Sequence, residues 1–468
     1  MFTFHRSHVC AALILCTPAV FAQDASAPAG SPAPNSLIVP SSGVTAPMAS
    51  QGAPAASGTS GVDAEKKPTS ADSAQGEGFM VPGGLGYAPL DFTPGQGKFD
   101  RKPLTFATTV QIGYDDNINS ASGKVAQTPI KGSMVTNASE AMSLLIAQSR
   151  VGLSMDANLG GQYYWSRDKN QLTPTVGMNL VFGYKLTPRA QLSGLVNGVY
   201  TTQPTQSVTN GVSQSNGAGN FIGSSKFDLL YQWDPRFSTD TFYSLNGSRQ
   251  EGSALKSSDY TTQTFGQSLR YSFSRLVTGV FEGRYADRVF STNPVGGLSR
   301  DTQTYFVLAG ADLTLSRLFN CSFRVGDTTQ SYSAQGEPTT SSPYAESTLN
   351  YILTKYTTLS LDARYGYDDG SSSQNGKSTR AGLALTHVFT SKLRSSLGVN
   401  YSHVAAATSS AGVFSADQNS LDVSVGTTYA ISQSLSLFGT VTHTRRTSTD
   451  VLQEMTKNVY YLGATYQY

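Results

Sequence analysis

The chain has 468 residues, of which 38% are hydrophobic and only 14% charged, with 45 Gly, 24 Tyr, 22 Phe and a net charge of +2. An ordinary globular domain carries about 25% charged residues, a helical membrane protein shows apolar runs of about 20 residues, and a nucleic-acid binder a basic surface. The composition argues against all three, since no such apolar run follows residue 22 and the charge is nearly balanced.

The N-terminus reads MFTFHRSH, then the apolar run VCAALILCTPAV, then FA before QD. A basic start, a short hydrophobic stretch and a small residue form an export signal too short to span a bilayer. Residues 1–22 are therefore expected to be a signal peptide cleaved after Ala22. Cys10 and Cys16 would leave with it, so Cys321 stands without a partner for a disulfide. Residues 23–100 are rich in Ala, Pro, Ser and Gly, with too few large apolar side chains to offset the entropy of ordering. This segment reads as a disordered periplasmic leader.

From residue 101 to residue 468 one unit repeats: a long alternating run, a short polar turn, a second alternating run, and a loop rich in Ser, Thr, Asn and Gly. The turns carry an apolar residue followed by Ser, Thr or Asp and usually a base, as in Leu186-Thr187-Pro188-Arg189, Asp234-Pro235-Arg236, Phe273-Ser274-Arg275 and Phe389-Thr390-Ser391-Lys392. Their spacing of about 40 residues also suits a β-propeller blade. A blade, however, packs four short strands into its period, whereas here there are two long ones. Val176-Met178-Leu180-Phe182-Tyr184 alternates with Thr175, Gly177, Asn179 and Gly183, and Phe227-Leu229-Tyr231-Trp233 with Lys226, Asp228 and Gln232. Eleven residues at about 3.3 Å, tilted by about 40°, rise roughly 28 Å, the height of the apolar band of an outer membrane. Aromatic residues gather near the ends of the runs, where interfacial girdles belong. The fold expected is an all-β, transmembrane, antiparallel up-and-down barrel in a Gram-negative outer membrane, with short periplasmic turns and longer extracellular loops.

One strand at 103–115, eight hairpins and a final strand at 457–468 make eighteen strands. The hairpin over 138–165 is the least regular, because AMSLLIAQ is apolar on both faces, and without it the count is sixteen. In the final run Tyr460, Leu462, Tyr466 and Tyr468 share one face, and the run resembles the C-terminal signal by which outer-membrane barrels are recognised for insertion. Tyr replaces the commoner terminal Phe. The partners that follow are outer-membrane lipid, lipopolysaccharide and the barrel-assembly machinery. The first strand ends in Gly113-Tyr114-Asp115-Asp116-Asn117-Ile118, which resembles the GYDDN-type opening of the putative β-barrel porin type 2 family. That resemblance implies a barrel with an envelope role, in a group that often accompanies exopolysaccharide production, and it names no substrate.

Catalytic motifs are missing: there is no G-x-S-x-G, and Gly376-Lys377-Ser378 lacks the glycine a phosphate-binding loop needs. A Ser–His pair at His403 or His443 is the remaining enzymatic reading, and rim positions are the simpler account of both. No enzyme activity and no cofactor are expected. Asp115, Asp116 and Asn117, echoed by Asp368 and Asp369, fit ordinary loop starts better than a cation site. Projecting the alternation inward lines the lumen with Arg150, Asp156, Asp228, Asp240, Arg270, Glu282, Arg284, Asp312, Arg324, Glu346, Asp362, Arg364, Arg380, Arg394 and Asp422. Eighteen strands close to roughly 36 Å, leaving about 20 Å inside the side chains. The leading expectation is a porin-like channel for hydrophilic solutes, with exported polysaccharide among the candidates. The rival is a non-conducting structural or interaction barrel of the envelope.

Overall fold

The computed structural model describes residues 104–468 apart from 119–129, 149, 168–170, 203–218, 252–258, 292–300, 317, 334–338, 368–376, 406, 410–411, 416 and 450–453. The export segment, the leader, Asp368 and Asp369 lie outside the described residues. The strands are β1 (Leu104–Asp115), β2 (Ser133–Ala147), β3 (Val151–Tyr164), β4 (Leu172–Lys185), β5 (Ala190–Thr201), β6 (Asn220–Gln232), β7 (Phe237–Gln250), β8 (Tyr260–Ser272), β9 (Val277–Phe290) and β10 (Thr302–Ser316). They continue as β11 (Phe319–Tyr332), β12 (Thr340–Thr354), β13 (Thr357–Tyr367), β14 (Lys377–Val388), β15 (Leu393–Val404), β16 (Ala407–Ser409), β17 (Gly412–Ser415), β18 (Gln418–Ala430), β19 (Leu435–Ser448) and β20 (Met455–Gln467). Eighteen of them form one antiparallel sheet in which each strand pairs with its neighbours in sequence, and β1 also pairs with β20, so the sheet closes. The short β16–β17 hairpin is a separate two-stranded sheet between β15 and β18.

Closure matters because an open edge in lipid would leave unpaired N–H and C=O groups. The irregular hairpin is real: β2 and β3 pair from Val135↔Tyr164 to Ala147↔Gly152. Its first strand starts earlier than the apolar pattern suggests, at Ser133 rather than after 137, because its early inward residues, Val135 apart, are the polar Ser133, Asn137 and Ser139.

The turn chemistry that made the repeat visible has a local cause. The Thr187 hydroxyl accepts from the N–H groups of Arg189 and Ala190 at 3.2 and 2.9 Å. Asp234 Oδ1 accepts from Arg236 and Phe237 at 2.7 and 2.8 Å, and Ser274, Thr390 and Ser432 do the same in their turns. A short oxygen-bearing side chain thus satisfies the N–H groups that the tight reversal leaves over. By the general rule for such barrels, these turns face the periplasm and the longer segments face outward.

The polarity of a soluble protein is inverted. Val176, Met178, Phe227, Leu229, Phe281 and Leu462 are exposed on the outer surface, and Thr173, Asn179, Ser224, Thr264, Gln330 and Arg446 are buried on the inner one. Near the periplasmic turns Tyr231 packs edge-on to Trp233, and Tyr271 to Phe273, forming the expected inner girdle. Glycines adjust the wall where a side chain must cross it. A Cβ at Gly310 would lie 1.9 Å from the Phe323 carbonyl oxygen and 2.9 Å from Arg324 Cδ, so only glycine lets Arg324 lie flat across β10.

Candidate functional site

Alternation aims one side chain in two at the lumen, and on β8 to β13 the inward residues form a continuous ionic network. Arg284 donates to Glu346 through Nη2 and Nη1 at 2.6 and 3.2 Å and, through Nε, to Glu282. The Tyr344 hydroxyl donates to the same Glu346 at 2.6 Å. Arg324 contacts Asp312 at 2.7 Å and Glu282 at 3.8 Å. Arg364 approaches Glu346 at 3.7 Å, and Arg270 approaches Asp312 at 3.4 Å. The register explains the order: Arg324 stands opposite Glu346, and Glu346 opposite Arg364. Acids and bases therefore interleave around the wall, and its charges are spent on one another.

The other inward residues are more dispersed. Asp228 is paired with Lys226 at 2.6 Å, Asp156 accepts from Ser143 at 2.6 Å, and Asp422 accepts from Thr444 at 2.6 Å. Asp240, Asp362, Arg380 and Arg394 lie at inward register positions on β7, β13, β14 and β15 and are half-buried. Arg150 differs from the expectation: it precedes β3 in the turn, exposed, with its carbonyl accepting from Lys185 N–H. The tight reversal takes it off the wall. The lumen set projected from the sequence left out Lys226, which shares the polar face of its strand with Asp228, and Arg288 and Arg446, although each is inward and buried. Arg446 follows Arg445, and two adjacent arginines hide which faces in.

Burial divides the wall by height. On each of the eighteen strands at least one inward residue of the outer half is buried, as at Thr304, Phe306, Ser342, Tyr344, Ser420 and Arg446. Large side chains there are almost fully covered, with Tyr344 and Phe306 1% exposed and Leu308 0%. Toward the periplasm the inward residues are predominantly half-exposed, among them Ser154, Ser193, Asp228, Asp312, Thr358, Ser396 and Ser424. Part of the outer packing comes from the segment after β1. Ile118 clusters with Val135, Tyr164, Val459 and Tyr461, and Asn117 is fully buried, donating through Nδ2 to the Thr456 carbonyl at 2.9 Å.

That segment also fastens the closing seam. Asp115 Oδ2 meets Lys457 Nζ at 2.8 Å, while Asp116 accepts from Asn458 N–H and Nδ2 at 2.7 and 2.6 Å. These carboxylates are occupied by the last strand, which accounts for the motif without a cation. At the periplasmic end Phe106 and Tyr468 exchange backbone hydrogen bonds and stack their rings at 5.9 Å. Tyr460, Leu462, Tyr466 and Tyr468 are all exposed on the outer surface. The Tyr468 hydroxyl reaches across β1 to Glu140 at 2.8 Å, and Thr108 donates to the same carboxylate at 2.5 Å. His403 and His443 sit on the outer surface toward the extracellular ends of β15 and β19, against Asn419 and Asn458 at 3.0 and 2.7 Å. Among the described contacts no serine hydroxyl is paired with either.

A family model described as Putative beta-barrel porin 2 matches residues 104–468. The chain belongs to this family. No curated protein matches the sequence. Solved structures that resemble this porin-family barrel include a BenF-like porin from Pseudomonas fluorescens Pf-5, at 10% identity and a TM-score of 0.40 over 78% of this chain and 98% of that one. OccAB4 of Acinetobacter baumannii gives 11% identity and a TM-score of 0.37 over 80% and 100%. The siderophore receptor PirA from Pseudomonas aeruginosa gives 9% and 0.38 over 83% of each chain.

Proposed function

We propose that the protein is an outer-membrane channel for hydrophilic solutes, without enzymatic activity, delivered by a signal peptide cleaved after Ala22. The observation that carries this reading is the inverted polarity of a closed barrel whose inner wall is polar and, in its periplasmic half, half-exposed. Such a wall offers hydrogen bonds to water and solute along the axis of a membrane-spanning cylinder. Exported polysaccharide suits the inner faces of β2 to β5, where Ser139, Ser154, Asn158, Ser193 and Asn197 accompany the single wall carboxylate Asp156. Lipid and lipopolysaccharide are the partners of the outer surface, and the assembly machinery is the partner of Tyr460, Leu462, Tyr466 and Tyr468.

The test is conductance of the purified protein in a planar bilayer, with and without residues 23–100. Steps of current are expected, and Asp156→Lys, which turns the lone wall acid of β2–β5 into a base, is expected to shift ion preference toward anions. The covered outer half of the wall favours a second reading, a non-conducting barrel. Absence of current from both forms would decide for that reading, and current with unchanged preference in Asp156→Lys would remove Asp156 from the path.

A further inference from the structure

We infer that the water-filled compartment of this barrel is a cup open to the periplasm, which receives an uncharged hydrophilic ligand from that side. The inference stands on the burial gradient and rests on the polar inner wall of the proposed function, whether or not the barrel conducts. A uniform pore would leave inward side chains equally wetted at both ends. Here Tyr344, Phe306 and Arg446 in the outer half are about 1% exposed, whereas Ser193 and Ser396, near the turns of β5 and β15, are half-exposed. Solvent and solute therefore meet the wall from below.

The lining of the cup sets the class of ligand. Several of its charges are internally compensated, Arg270 and Arg324 by Asp312 and Lys226 by Asp228, while Asp156 is held by the Ser143 hydroxyl. Paired charges contribute little net field with which to attract an ion, and the hydroxyl and amide groups between them retain donors and acceptors for hydroxyl- or amide-bearing molecules.

Single cysteines read both claims in the full-length protein, in a Cys321→Ser background. Ser193→Cys and Ser396→Cys report the cup, and Thr304→Cys and Ser420→Cys report the outer half. A maleimide carrying a long polyethylene glycol chain is applied to intact cells, then after the periplasm is opened. The cup cysteines are expected to react only from the periplasm, and the outer-half cysteines from neither side until the barrel is unfolded. Reaction of Thr304→Cys or Ser420→Cys in intact cells, or failure of the cup cysteines to react from the periplasm, overturns the inference. Neutral dextran is expected to slow labelling of the cup by a small maleimide at least tenfold more than dextran sulfate does. Equal or stronger protection by the sulfated polymer rejects the uncharged ligand. Labelling needs no current, so a barrel that labels as expected but does not conduct refutes the channel and keeps the cup.

Discussion

Glu346 receives Arg284 through two nitrogens, accepts a hydrogen bond from Tyr344 and lies beside Arg364. Charges drawn from water in this way tolerate removal of a partner poorly, because the survivor stays buried without compensation. Glu346→Ala is expected to destabilise the barrel by about 3–5 kcal/mol, with Glu346→Gln costing less because it keeps an acceptor for Arg284. Denaturant-dependent loss of the heat-modifiable gel band in lipid vesicles measures both, and equal stability of Glu346→Ala and wild type would show that the network contributes nothing net. The same pairing changes what charge reversal can report. Replacing Arg284, Arg324 and Arg364 by Glu together sets new carboxylates against Glu282, Asp312 and Glu346, which makes it an assault on folding before it is a probe of selectivity.

At the scale of the element, the hairpin is fixed at its turn by one side chain. Asp234→Ala removes two hydrogen bonds to the backbone of the β6–β7 turn, and a typical intramolecular hydrogen bond is worth about 0.5–1.5 kcal/mol net, so a loss of about 1–3 kcal/mol is expected. Asp234→Ser, which rebuilds the arrangement found at Ser274, should recover most of it in the same unfolding assay. A variant with Ala that unfolds like wild type would mean that Pro235 alone shapes the turn. This chemistry is also why the strands were legible. Period-two alternation and a capping oxygen are both local, and they placed β1 and β20 to within two residues. The apolar Met142, Leu144 and Ile146 obscured β2 because its inward Ala141 and Leu145 are apolar too, leaving the pattern without contrast. The inward set on β8 to β13 followed from alternation, but which carboxylate each arginine takes depends on inter-strand register, which no single strand encodes. Arg150 was misplaced for a related reason: alternation carries no information about where a strand begins.

The whole molecule depends on one junction that sequence places at opposite ends. Asp115, Asp116 and Asn117 hold the start of β20 at the outer rim, and Tyr468 reaches past β1 to Glu140 near the inner one. Tyr468 supplies the hydroxyl that meets the Glu140 carboxylate on the lipid-facing surface, where an unsatisfied acid is costly. Deleting residues 459–468 removes most of β20, exposes the edges of β1 and β19 to lipid, and strips Glu140 of one of its two donors. Since unpaired backbone groups in the hydrocarbon layer cost several kcal/mol each, no compensation within the remaining sheet is available at eighteen-strand width. The truncated chain is expected to be absent from the outer-membrane fraction and to lack a heat-modifiable band. Tyr468→Phe, by contrast, should assemble, because it keeps the ring against Phe106, but with a lowered midpoint of unfolding that Glu140→Leu restores. If the truncation assembles normally, then β20 is dispensable for closure and β1 must find another partner. If Tyr468→Phe matches wild type, the hydroxyl bridge to Glu140 carries no weight in holding the seam.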